Sequence, residues 1–272
     1  MTPITVLAVG GTSESRPGDT RTEVSGLLES VTRYLPDRFV SRWVGYPADY
    51  GPASRPDGLS FRESVAIGAD NLTKTALTVD GPIVPLGYSQ GAAVVRELLH
   101  RQATGVGPRL DIRAAGFVAD PQMWRGAAYG KPHLPGYGVA GVGGRVSVPA
   151  WWIANDRDPI PAAAPDSLLR TVADLTEYMT LTNVVEWGER VLARLLGHQW
   201  QNVGFTWQEM LQTGERLNRT AAEIAAYLPW LPIVNEQGGQ HTSAYIGDPY
   251  MPGNRETGCE VLARLLDAHI HP

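Results

Sequence analysis

The chain has one cysteine in 272 residues, Cys259. That excludes an intrachain disulfide and any cysteine-rich metal site. It lacks a basic excess: Lys+Arg number 23 against 28 Asp+Glu, a net charge of −5. A protein that grips nucleic-acid phosphates needs a basic stripe, so nucleic acid is excluded as a partner. No apolar run reaches the length that crosses a membrane. The opening "MTPITVLAVGG" has neither a basic leader region nor a long apolar stretch, so it reads as a first strand, and no cleaved export signal is expected. Internal repeats and low-complexity segments are missing too. What remains is a chain that is 43% hydrophobic, with its 30 glycines and 21 prolines dispersed as loop punctuation. That is enough to bury a large core.

Short β-type runs alternate with helical ones. Strands are expected at "ITVLAVG" (4–10), "FVSRWVGY" (39–46), "PIVPLGY" (82–88), "IRAAGFVA" (112–119) and "PAWWIAN" (149–155). Helices are expected at 22–35, 60–77, 91–102 and 256–270. Near-continuous apolar strands separated by amphipathic helices specify an α/β fold, a mostly parallel sheet covered on both faces. Such sheets gather their sites at the carboxyl ends of the strands. Residues 165–234 break the alternation with helical periodicity and no convincing strand. They are expected to form a helical insertion within a single 1–272 domain. The insertion carries Trp187, Trp200, Trp207 and Trp230, which could line an apolar acyl groove or simply pack.

The chemistry lies in "PIVPLGYSQGAAVVREL" (82–98). An apolar run ends in Gly87-Tyr88-Ser89-Gln90-Gly91 and turns helical at once, with no Asn or Asp between. Gly-x-Ser-x-Gly arises by chance in roughly one chain in ten of this length. A strand before it and a helix after it are the context that a nucleophile elbow demands. A serine hydroxyl needs a base, and the base needs an orienting acid. In this fold the order is Ser, acid, His. His241, in "NEQGGQHTSAYIGD" ahead of the last helix, is the expected base, with His198 the rival; His100, His133, His269 and His271 sit less favourably. The acid is expected after a strand, in "PAWWIANDRDP": Asp158 is preferred over Asp156, with Asp120 third. An oxyanion hole needs preset N–H donors. Gln90 follows the nucleophile, and Thr12 in "AVGGTSES" is the expected second, its hydroxyl a possible third. "GYGVAG" (136–141) matches a dinucleotide fingerprint but has no strand before it or helix after it, so it reads as a loop. No cofactor and no metal are expected.

"GYSQGAAV", "GYPADYG" (45–51) and "GGTSES" resemble the cutinase-like branch of the α/β-hydrolases. With "GYGVAGVGG", "VPAWWIANDRDP" and the long insertion before "GGQHTSAY", the chain more closely resembles lysin B, the mycolylarabinogalactan esterases of phages infecting mycobacteria and their relatives. That resemblance implies a serine esterase made in the host cytoplasm and acting on the outer envelope at lysis. Its substrate would be a lipid ester of a cell-wall glycan, mycolyl-arabinogalactan. The alternatives are a general cutinase-like lipase or polyesterase, an acyltransferase of the same fold, or a binding module that has lost the chemistry.

Overall fold

The computed structural model describes residues 2–177, 219, 222–223 and 239–271. Five strands form one sheet in the order β2-β1-β3-β4-β5: β1 Ile4–Val9, β2 Phe39–Trp43, β3 Ile83–Tyr88, β4 Ala115–Val118 and β5 Ala150–Ile153. Every neighbouring pair is parallel. The strands are apolar throughout because each face is covered, and alternate residues enter alternate layers. On β1, Ile4, Val6 and Ala8 join a core with Leu27, Leu28, Val261, Leu262 and Leu266. Leu7 and Val9 enter the opposite core with Leu72, Val94, Val95 and Leu98.

Among the described residues the helices are, in chain order, α1 (Glu29–Thr32), α2 (Phe61–Ala76), α3 (Gln90–Thr104), α4 (Pro159–Ala162), α5 (Leu168–Thr176), α6 (Ser243–Gly247) and α7 (Gly258–His269). Local chemistry sets the starts of two of the long layer helices. Ser60 and Glu63 form a reciprocal capping box on α2, and Thr257 and Glu260 do the same on α7. Pro85 lies in a strand flanked on both sides, where a missing N–H would normally cost a ladder bond. The pairing on the β4 side is interrupted there: Ile83 makes an isolated bridge to Ile112, and the regular ladder starts at Leu86 paired with Gly116, past the proline.

The helix expected over 22–35 is largely absent. A 3-10 turn at Gly26–Leu28 and the four residues of α1 replace it. The reason is tertiary. Gly26 takes φ +68°, and the Glu14 carboxylate accepts the Leu27 N–H at 2.9 Å, pulling this segment into a loop under the strand ends. The strand expected over 112–119 is shorter than its apolar run, although Ile112 still makes an isolated parallel bridge to Ile83. Of the expected insertion, the segment through α5 and the residues Arg219, Ala222 and Glu223 are described; Trp187, Trp200, Trp207, Trp230 and His198 lie outside the described residues. Among the described residues, no helix is long and apolar enough to cross a membrane.

Candidate active site

The strand order reverses direction between β1 and β3: the chain leaves β1 toward β2 and leaves β3 toward β4. Connections that depart to opposite sides open a crevice at the carboxyl ends. Ser89 stands there, at the end of β3 and the start of α3, with φ 53° and ψ −119°. Few residues adopt this region without surrounding constraint. The constraint is visible. Ser89 N donates to Val118 O at 2.9 Å, and Ala92 N donates to Ser89 O at 2.9 Å. A Cβ on Gly91 would overlap the carbonyl oxygens of Val9 and Gly10, so α3 approaches β1 this closely only with glycine there.

The base and acid arrive from distant segments. His241 Nε2 is 2.8 Å from Ser89 Oγ, and His241 Nδ1 is 2.8 Å from Asp158 Oδ2. Asp158 is fully buried at the start of α4, and its Oδ1 accepts the Ile160 N–H at 3.0 Å. The Tyr245 hydroxyl donates to Oδ2 at 2.8 Å. The imidazole is fixed as well: its ring stacks on Tyr88 at 5.2 Å between centroids, and the Tyr88 hydroxyl donates to the His241 carbonyl at 2.8 Å. This is the geometry of a Ser-His-Asp triad, the arrangement of a serine hydrolase.

The rival acids go elsewhere. Asp156 lies at the surface, 3.7 Å from Lys131 Nζ. Asp120 is buried, but Arg96 Nε donates to it at 2.6 Å, Trp152 Nε1 at 2.8 Å and Gln122 N at 2.8 Å. It anchors Arg96 against the rings of Phe117, Trp124 and Trp152 and does not reach the histidine.

Thr12 and Gln90 are brought together. The Thr12 hydroxyl donates to Gln90 Oε1 at 3.3 Å, which engages the hydroxyl that could have served as a third oxyanion donor. Gln90 Nε2 donates to Asp49 O at 2.7 Å, so the side chain is oriented by the "GYPADYG" loop. The Gln90 N–H stands in the first turn of α3, where a helix offers it no carbonyl.

Two residues of the site escape the reading from sequence. Tyr245 is the first. Glu14 is the second: its carboxylate accepts the Gly11 N–H at 2.7 Å as well as that of Leu27, clamping the loop that carries Thr12. Burial pushes the Glu14 carboxyl above the usual range, against the pull of those two N–H groups. A signal for Glu14 exists, since an acid three residues after the turn is half of a capping box. No local pattern announces Tyr245. The "GYGVAG" segment is a loop: Arg170 of α5 donates to Gly138 O at 2.6 Å and to Tyr137 O at 2.9 Å, tying it to that helix. Among the described residues, no cluster of His, Cys, Asp and Glu could hold a metal ion.

A PE-PPE domain family model matches residues 38–119, from β2 through the elbow to the end of β4. That is less than a third of the chain. No match was found among curated proteins. Among solved structures the chain is similar to an acetyl xylan esterase (19% identity, 72% of this chain and 98% of the other, TM-score 0.43). It is similar to lysin B from Mycobacteriophage D29 (19% identity, 65% and 73%, TM-score 0.43). A third is a cutinase-like protein from Cryptococcus sp. (13% identity, 72% and 91%, TM-score 0.42). Likenesses this distant assign neither a branch nor an activity.

The resemblance to lysin B is corrected by the family match, which points to a family unrelated to phage proteins. The phage and endolysin reading falls with it, and mycolyl-arabinogalactan loses the basis on which it was expected. The physical reason lies in which residues carried the resemblance. "GYSQGA" meets the steric demands of the elbow, and "GYPADYG" holds Gln90; both report how the site is built and not what it binds. The cutinase-like branch is likewise not assigned: the structure shows a parallel sheet flanked by helices, an α/β fold.

Proposed function

We propose that the protein is a general carboxylic-ester hydrolase of the esterase/lipase type, with Ser89 as nucleophile, His241 as general base and acid, and Asp158 as the acid that orients the imidazole. The observation that carries this reading is the continuous chain from Ser89 Oγ through His241 to Asp158, each link 2.8 Å. Ser89 Oγ attacks the ester carbonyl as His241 Nε2 takes its proton. The N–H groups of Gln90 and Thr12 are proposed to receive the oxyanion of the tetrahedral intermediate. Collapse expels the alcohol, which takes the proton back from His241 and leaves an acyl-serine. Water, activated by the same nitrogen, then releases the acid. If a sugar hydroxyl takes the place of that water, the same site is an acyltransferase. The proposal keeps residues 1–272 as one domain, with 165–234 inserted between acid and base.

The test is turnover of short chromogenic acyl esters, with a phosphonate inhibitor followed by peptide mass spectrometry. Hydrolysis and a phosphonyl adduct on Ser89 are expected. A folded protein that neither turns over any ester nor takes the label would sink this reading. Adding a polyol or sugar acceptor separates transfer from hydrolysis: acyl-sugar in place of free acid selects the transferase.

A further inference from the structure

Tyr245, in α6, lies four residues beyond His241 and is buried, 1% exposed, in the core beneath the site. Its oxygen has one proton to give and lone pairs to receive with. The Asn155 N–H points into that oxygen at 3.0 Å, and Asp158 Oδ2 lies 2.8 Å away. Asp158 has an acceptor-only carboxylate in the triad, so the phenol proton goes to it. Three donors thereby converge on Asp158: Ile160 N–H on Oδ1, and both His241 Nδ1–H and Tyr245 O–H on Oδ2.

We propose that Tyr245 is a positioning residue of the reaction, its hydroxyl fixing the Asp158 carboxylate in the rotation at which Oδ2 meets His241 Nδ1. This rests on the esterase reading above. The carboxylate turns about its Cβ–Cγ bond as one rigid plane, and the Ile160 N–H restrains that rotation at Oδ1 only, which leaves the plane freedom to rock. Tyr245 closes that freedom, and its second partner, Asn155, belongs to the strand end that carries Asp158. One short segment, 241–245, thus delivers the base and aligns the acid, so that the two cannot drift apart independently. Burial, with Asp158 beside it, holds the phenol well above its ordinary pKa, and it remains a donor wherever the enzyme would work.

The experiment compares Tyr245→Phe with Tyr250→Phe in the full chain. Tyr250 is a buried phenol in the same core whose hydroxyl donates to Tyr129 O at 2.8 Å, away from the triad. For Tyr245→Phe, kcat on a short ester should fall roughly ten- to hundredfold with KM within about twofold. The low-field proton resonance of His241 Nδ1–H should move. Tyr250→Phe should lower the melting temperature without either effect. Should Tyr245→Phe fail to fold, 3-fluorotyrosine at 245 keeps the shape and alters only donor strength, and the resonance should still move. A Tyr245→Phe protein that matches wild type in kcat and resonance while melting lower would overturn the proposal, as would an unmoved resonance in the fluorinated protein. The resonance reads the Tyr245 link even where no ester is turned over, so failure of the esterase reading and failure of this one are told apart.

Discussion

The two halves of the site are held by different means. The elbow at 87–91 is fixed by backbone: Ser89 N on Val118 O, and Gly91 pressed against the carbonyls that end β1. The acid and base are fixed by side chains: Tyr245 and His241 on Asp158, Tyr88 on His241, and Arg170 donating to the carbonyls of Ala163 and Ala164 at the end of α4, the helix that Asp158 begins. A backbone solution leaves a signature in sequence, because only glycine fits where carbonyls approach so closely. A side-chain solution leaves no contact signature, because the partners come from anywhere in the chain; His241 and Asp158 are legible only through their chain order and their places before the last helix and after a strand. His241 and Asp158 are 83 residues apart, and His241 and Ser89 152.

The largest test of this contrast is Ser89→Ala, which should remove roughly 10⁵–10⁶-fold of kcat by analogy with triads generally, with the melting curve unchanged. Retention of a few per cent of activity would mean that the elbow presents some other nucleophile. Next is Asp158→Asn, expected to cost roughly 10⁴-fold through loss of tautomer control. Asp156→Asn, at the surface beside Lys131, should stay within about twofold of wild type. The opposite ranking in steady-state kinetics would place the acid on the wrong side of the turn.

Gly91→Ala tests the backbone half. The added methyl meets two carbonyl oxygens that cannot rotate away, so about 1–3 kcal/mol of stability should be lost, read as a lower denaturation midpoint. An unchanged midpoint would show that α3 can slide and that the elbow is looser than its geometry. The smallest effect concerns Cys259, which neither half of the site uses. It is buried in α7, and burial pushes its thiol up to about 12. An alkylating reagent at pH 8 meets almost no thiolate there, so labelling by mass should be absent in the native protein and complete in denaturant. Native labelling would show that the α7 face opens.

Legibility in the sequence follows the same division. Gly87-x-Ser89-x-Gly91 and the five apolar runs are readable because strand periodicity and close backbone approach are local constraints. The 22–35 segment misleads for the converse reason. Its amphipathic spacing is real, but Glu14 from another loop takes the Leu27 N–H, and Gly26 turns the chain out of helix.

The order of strands and helices, the elbow and its serine were determined by the sequence itself, since each follows from which side chains a few neighbouring residues can tolerate. Which aspartate faces the histidine was decided only by the tertiary structure. Asp120, Asp156 and Asp158 all follow strands and are chemically alike. Arg96 and Trp152 claim the first, solvent and Lys131 the second, and Tyr245, Ile160 and His241 the third. A carboxylate's direction is set by the donors that surround it, and those donors meet only when the sheet has assembled.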